Sequence, residues 1–385
     1  MSGLRPEHLP YGVFRRAGDE PRVGARSGDG ILDLAALARD GLLDEDPALF
    51  AQPSLNPFMA AGRTTWVRVR EALQALTAGP DAEPAAVPLE EAEPLLPVAV
   101  GDYVDFYSSL EHASNVGRIF RPDADPLPPN WRHLPAGYHG RSGTVVVSGT
   151  PIRRPRGQRR EPGDDAPVFG PSVRLDIELE LGFVVGTPSG AGEPVAVDRA
   201  LDHLFGVVLL NDWSARDLQE WESRPLGPFL AKSFATSVAA WVTPIEAVLT
   251  RRVPAPAQEP EPLPYLREEP WALDLDLEVG LNGTTVARTN ARHLYWSAAQ
   301  QLAHMTVNGA HLRTGDLFGS GTISGPARDE RGSLLELSWN GAEPIALDDG
   351  STRTFLEDGD EVVLRGSGGE ALALGEVRGA IQPAA

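Results

Sequence analysis

Cysteine is absent from the 385 residues. Disulfides, thiolate metal sites and cysteine nucleophiles are therefore excluded. No apolar run approaches the ~18 residues that cross a bilayer. The opening MSGLRPEHLPYG has no apolar core of a secretory signal, so a soluble cytoplasmic chain is expected. Positive charge is also scarce: 34 Lys and Arg stand against 54 Asp and Glu, a net charge of −20. Such a field repels phosphate backbones and anionic lipid, so neither nucleic acid nor membrane is an expected partner. What is present is 42% hydrophobic residues with 40 Gly and 35 Pro. That suits a turn-rich globular protein of about two domains.

Residues 1–78 read as a small separate unit. Gly12 to Leu34 carries short apolar pieces broken by Ala-Gly-Asp and Ser-Gly-Asp-Gly, which suits hairpins. Thr64 to Leu76 has apolar positions at helical spacing and stops near Gly79-Pro80. Gly79 to Pro97 is rich in Pro, Ala and acid without periodicity and reads as a linker. From residue 98 strands dominate: Thr144 to Val147, Leu175 to Val185, Leu273 to Leu281 turning at Asn282-Gly283, and Glu361 to Leu364. Helices are expected at Ser214 to Glu222 and Ala291 to Met305. Arg251 to Pro270, with six prolines, is expected as an extended arm. The expected fold class is mainly β, a β-rich α+β chain.

Three segments carry candidate chemistry. In Leu175 to Leu181, period two puts the leucines and Ile177 on one face and Asp176, Glu178 and Glu180 on the other. Like charges roughly 6.5–7 Å apart repel unless water or a cation relieves them. Both a solvated face and a metal site remain open, because Asp274, Asp276 and Glu278 repeat the pattern. In Asn211 to Trp221 an apolar strand runs into a helix that Asp212 or Ser214 would cap. Arg216, Gln219 and Ser223 share one face of that helix, and Arg216 has Glu220 within pairing distance. Lys232 sits among apolar residues in Gly227 to Thr236, an unusual setting from which it could simply snorkel to water. In Asp102 to Ala113, aromatics, carboxylates and His112 crowd together, and Gly137 to Arg141 forms a glycine-bracketed polar loop.

In Asp102 to His112, Leu134 to Arg141, Ser148-Gly149-Thr150-Pro151, Leu210 to Glu222, Pro225 to Phe234 and Gly321 to Gly325, the chain resembles the fumarylacetoacetate hydrolase family. The blocks keep their order over most of residues 100–340. The resemblance implies a small N-terminal SH3-like barrel, residues 1–95 with its linker, and a larger C-terminal β-roll domain, residues 96–385. It implies a homodimer that hydrolyses 4-fumarylacetoacetate, a dianionic diketo acid, to fumarate and acetoacetate at the end of tyrosine breakdown. It implies Mg²⁺ or Ca²⁺ at Asp105, Glu178, Glu180 and Asp212, with Lys232 and Thr236 nearby. His112 is implied as the base, oriented by Glu336, with Arg216, Gln219 and Lys232 facing the reacting carbonyl. Tyr107, Arg121, Tyr138, Gln219 and Thr322 are implied to hold the substrate. Ser223 stands where the family usually has a tyrosine.

That chemistry needs those residue types. Carbon leaves poorly unless a metal-chelated 1,3-dicarbonyl accepts its electrons as an enolate. Carboxylate oxygens suit Mg²⁺ or Ca²⁺, Lys232 and Arg216 would balance the charge, and an imidazole can activate water. Acylpyruvate hydrolases and 2-oxo acid decarboxylases or isomerases of the same family share the acidic pattern but are generally shorter and lack the Tyr107–His112 block. An acidic β-rich module with structural Ca²⁺ would need no His112, Arg216, Gln219 and Lys232 together.

Overall fold

The short apolar runs pair edge to edge. In the computed structural model, which describes residues 8–78, 86–160, 163, 165–369 and 372–385, thirteen strands join one mixed sheet. Its middle runs Tyr11–Arg16, Trp241–Pro244, Leu204–Asp212, Leu179–Val185, Leu317–Gly319, Tyr103–Phe106 and Gly137–His139. A second sheet orders Thr284–Asn290, Asp276–Leu281, Glu361–Ser367, Ala373–Gln382 and Ile152–Arg153. The chain is mostly β with some helices. Leu179–Val185 and Leu204–Asp212 are buried along their whole length, as expected of central strands covered on both faces.

The N-terminal strands run into the larger sheet through Tyr11↔Val242 and Gly12↔Trp241. Among the described residues no pairing closes them into a barrel. One hydrophobic cluster spans both ends of the chain. Tyr11, Phe58 and Trp66 pack on Phe205 with ring centroids 5.7, 5.8 and 5.0 Å away. Among the described residues no helix is long and apolar enough to cross a membrane.

The hairpins of Gly12 to Leu34, the helix Arg63–Thr77 and the turn at Asn282-Gly283 form where the sequence places them. Four expectations change. The Gly79-Pro80 stop and the first part of the expected linker, residues 79–85, lie outside the described residues. The rest is not a plain linker: Val87–Pro88 and Ala92–Leu95 are edge strands. Ala92–Leu95 pairs with Tyr11–Arg16, and Glu91 and Glu93 meet Arg16 and Arg15. Edge strands of two and four residues, each holding a proline, are too short to show an alternation to read. The expected helix from Ala291 is a single turn, Ala291–His293. The α-helix Ala298–Thr306 starts only where Ser297 and Gln300 form a capping box. The helix at Arg216–Glu222 has no side-chain cap, because the Ser214 hydroxyl bonds the Asp212 carbonyl. Leu175 to Val185 is two strands broken at Ile177-Glu178: Leu175–Asp176 pairs with Ser214–Ala215, and Leu179–Val185 with Leu204–Asp212.

The helix Leu110–Phe120, which the sequence reading did not pick out, presses Gly117 onto the loop that follows it. A Cβ at Gly117 would lie 1.9 Å from the Pro126 carbonyl oxygen. Gly117→Ala is expected to lower unfolding free energy by about 1–3 kcal/mol, read as a lower urea midpoint at constant slope. An unmoved midpoint would show that the loop yields freely.

Candidate active site

Sheet register brings distant acids together. Asp105 lies beside Gly319 in a parallel pairing, Gly319 beside Gly182 of the Glu180 strand, and Asp212 beside Thr236. Asp105, Glu178 and Glu180 each bring one carboxylate oxygen within 4.8 Å of the others. The approach passes over a glycine: a Cβ at Gly319 would lie 2.6 Å from both Asp105 Oδ1 and Glu180 Oε2. Asp212 joins the edge of this group. Tyr138 Oη hydrogen-bonds both Asp105 Oδ2 at 2.9 Å and Asp212 Oδ2 at 2.7 Å. Thr236 Oγ1 donates to Asp212 Oδ1 at 2.7 Å. The strand acids are not a solvated face: Asp176, Glu178 and Glu180 are all buried. Asp276, in the strand with the same letters, is exposed, and Glu278 is half-buried against Arg288 and Arg365.

Two cations enter this cluster. Arg216 donates from Nη1 to Glu178 Oε1 at 2.7 Å and to Gln219 Oε1 at 3.1 Å, and from Nε to Asp176 Oδ2 at 2.8 Å. Glu220 is instead paired with Arg174. Lys232 does not snorkel; it is buried, donates to Glu178 Oε2 and lies 3.0 Å from Asp212 Oδ2. Burial alone would lower the Lys232 pKa, yet Asp212 and Glu178 hold it above the ordinary value. Burial likewise opposes the charge on Glu178, but Lys232, Arg216 and His112 pull its carboxyl well below the usual range. Lys232 gives Asp105 and Glu180 only part of that relief. Burial and then the neighbouring carboxylates push both well above the usual range. Asp105 Oδ1 and Glu180 Oε1 are buried with no hydrogen-bond donor. Oxygen-only donors, two of them orphaned and short of positive charge, fit a hard divalent cation.

The helix Leu110–Phe120, capped by Ser109, carries buried His112 in its first turn. Its Nδ1 donates to Glu336 Oε2 at 2.6 Å. The Glu336 carboxylate also accepts from Ser324 and Ser333 Oγ at 2.9 and 2.8 Å and from Asn115 Nδ2 at 2.9 Å. Burial opposes its ionisation, but His112, Asn115 and Ser333 hold its pKa down at about 2. An ionised Glu336 holds a proton on Nδ1 and leaves Nε2 as the ring nitrogen free to face the site.

The remaining expected substrate residues are spread around this core. The Tyr107 ring meets the His112 ring edge-on at 5.3 Å. Thr322 is buried with an unpartnered hydroxyl, and Gly321 N donates to Glu180 Oε2 at 3.1 Å. Arg121 caps the far end of the helix, exposed, and donates to the Pro126 carbonyl at 2.9 Å. Ser223 bonds back to the Gln219 carbonyl, so its hydroxyl is engaged within its own helix. Sequence reasoning missed the Glu336 partners Asn115, Ser324 and Ser333, and the gap at Gly319. It also passed over a plain signal: Lys232 is the only lysine in the chain.

Sequence comparison identifies the family. The family described as Fumarylacetoacetate (FAA) hydrolase C-terminal matches residues 103–382. The family described as Fumarylacetoacetase N-terminal matches residues 7–99. The chain belongs to the fumarylacetoacetate hydrolase family. It is 47% identical over 400 residues to the Fumarylacetoacetase of Homo sapiens, covering 98% of this chain and 96% of that one. It is 47% identical over 383 residues to that of Oryza sativa subsp. japonica, covering 93% and 89%. A solved fumarylacetoacetate hydrolase from Exiguobacterium antarcticum shares the fold at a TM-score of 0.60 and 17% identity, over 97% of this chain and 99% of that one.

Two predictions follow from this geometry. Gly319→Ala drives a methyl between two carboxylates and is expected to weaken divalent-cation binding by about 10–100-fold. Calorimetric titration with Mg²⁺ reads this, and undiminished affinity would place the cation elsewhere. For Glu336→Gln, the folded pKa of the native group lies below the ordinary 4.5, at about 2. Its stabilisation is therefore complete above pH 4.5 and lost as pH falls toward 2. The stability gap between the wild type and Glu336→Gln, on the order of 3 kcal/mol near neutrality, should narrow below pH 4.5 in urea titrations. A constant gap contradicts an ionised Glu336.

Proposed function

We propose that this chain hydrolyses the carbon–carbon bond of 4-fumarylacetoacetate, yielding fumarate and acetoacetate in tyrosine catabolism. The observation that carries the reading is the buried His112–Glu336 pair set beside an all-oxygen acidic cluster that Arg216 and Lys232 only partly neutralise. The names of relatives at 47% identity support the same substrate.

Asp105, Glu178, Glu180 and Asp212 are the residues that would hold Mg²⁺ or Ca²⁺, with Thr236 fixing the Asp212 carboxylate and Lys232 balancing charge. A bound divalent cation supplies a Lewis acid for the two carbonyl oxygens of the substrate and an electron sink for the departing enolate. The other steps belong to side chains. His112 Nε2 takes a proton from water, which adds to the carbonyl carbon next to the fumaryl double bond. Glu336 stabilises the imidazolium and keeps the ring oriented, as in other His–carboxylate pairs. Arg216, with Gln219 beside it, and Lys232 stabilise negative charge at the attacked oxygen. The bond to the central methylene then breaks, its electron pair passes into the acetoacetate enolate, and the His112 proton returns to that carbon. Tyr107, Tyr138 and Thr322 line the substrate, and Arg121 draws its carboxylate against the net charge of −20. At position 223 a serine already bonded to Gln219 removes the aromatic hydroxyl contact usual in the family.

The finer architecture follows the same reading. The short antiparallel strands before residue 96 correspond to a small SH3-like barrel, and the remainder to the catalytic β-roll. The active protein is a cytoplasmic homodimer.

Excess chelator is expected to abolish turnover and added Mg²⁺ or Ca²⁺ to restore it. His112→Ala should lower kcat by roughly 10²–10⁴-fold while divalent-cation binding persists. Both are followed by loss of the dienol absorbance of the substrate and by release of fumarate. Full activity in chelator removes the metal, and an unchanged kcat removes His112 as the base.

A further inference from the structure

We infer that Asp176 is a positioning residue that sets the His112–Glu336 base in register with the Arg216 guanidinium. Its kinetic arm rests on the hydrolase reading above. Asp176 lies outside the three converging carboxylates. It is wholly buried at the end of the short strand Leu175–Asp176. Its Oδ2 accepts from Arg216 Nε at 2.8 Å and from the Leu335 amide at 3.1 Å. Its Oδ1 accepts from the Leu334 amide at 2.7 Å and the Ile177 amide at 2.7 Å.

Leu334 and Leu335 immediately precede Glu336, and Ser333 of the same turn donates to the Glu336 carboxylate. One side chain therefore grips both the backbone that aims the His112 partner and the arginine that faces Glu178. The grip on Arg216 is directional. A guanidinium held at Nε by Asp176 and at Nη1 by Glu178 cannot rotate in its own plane. Its Nη2, buried and without a hydrogen-bond acceptor, keeps its two N–H bonds in fixed directions. Four donors from three stretches need a carboxylate with two accepting oxygens. An asparagine offers one accepting oxygen and an NH₂ group, so either Arg216 or the Glu336 turn must move away from it.

The test uses the full-length protein carrying Asp176→Asn, alone and combined with Glu336→Gln. A shift of about 1 Å between base and guanidinium is expected to lower kcat by about 10²-fold. KM and the Mg²⁺ affinity should stay within about 3-fold, because such a residue acts on the geometry of the reacting groups rather than on binding. In the metal-free protein, the downfield proton resonance of His112 Nδ1–H should shift, a readout independent of substrate. The double variant should lose little more activity than the worse single variant. Multiplying losses, or an unmoved resonance in folded Asp176→Asn, overturns the proposal. Should Asp176→Asn fail to fold, Arg216→Lys keeps the charge and drops the Nε contact. The His112 resonance should then move although the two side chains share no hydrogen bond, and an unmoved one overturns the proposal equally. If the wild type leaves 4-fumarylacetoacetate intact, the proposed reaction fails, while the resonance still decides the role of Asp176.

Discussion

Negative charge buried without full compensation is the constraint on which this site is built. Asp105, Asp176, Glu178, Glu180 and Asp212 are all shut away from water, and a buried ion without a partner is destabilising by several kcal/mol. Two cations enter to offset them, and both reach Glu178. Arg216 also satisfies Asp176, and Lys232 also faces Asp212. Asp105 and Glu180 receive no cation, and each keeps an oxygen with no donor. The deficit is thus local, placed on two carboxylates that meet over Gly319. A hard divalent ion relieves such a deficit, and a protein group added there would only fill the gap.

The fold concentrates these charges by register. Residues 105, 180 and 212 lie far apart in the chain, yet their strands share one sheet with the Leu317–Gly319 strand between two of them. The His112 helix starts directly after the Asp105 strand, so acid and imidazole leave one short connection in different directions. On the far side, the turn holding Glu336 is tied by its amides to Asp176. The acidic cluster with its Arg216 and the His112–Glu336 pair are therefore tied to one another through the Asp176 carboxylate. Small errors in side-chain packing elsewhere are poorly transmitted to their separation.

What was legible depended on whether a pattern had one physical cause. The Arg63–Thr77 helix and the turn at Asn282-Gly283 announce themselves by spacing and by a dipeptide with a single conformational use. The acids of Leu175 to Leu181 did not. Alternation defines a face but not what covers it, and the matching letters at Asp274 to Glu278 ended beside solvent and arginines. The difference lies in tertiary neighbours, which local periodicity does not encode. The helix from Leu110 is hidden by Ser, Asn and Gly residues of poor intrinsic propensity. It forms because Ser109 caps it and its buried face packs. Asp105 and Glu336 became candidates only through resemblance, since a lone acid in a strand or a short turn has many ordinary uses. Lys232 drew notice through its apolar neighbours, and its being the only lysine in the chain was a second signal in the same letters.

That single buried lysine carries a consequence for durability. A substrate of the proposed class is a conjugated enone, an electrophile that alkylates thiols and unprotonated amines. This chain has no thiol, and its one lysine nitrogen is enclosed and held as an ammonium by Asp212 and Glu178. Its surface arginines are guanidinium groups, which stay protonated and inert toward conjugate addition, and exposed imidazoles such as that of His139 are the nucleophiles left. A reactive substrate of that class would therefore find imidazoles rather than thiols or free amines among the side chains it could scar.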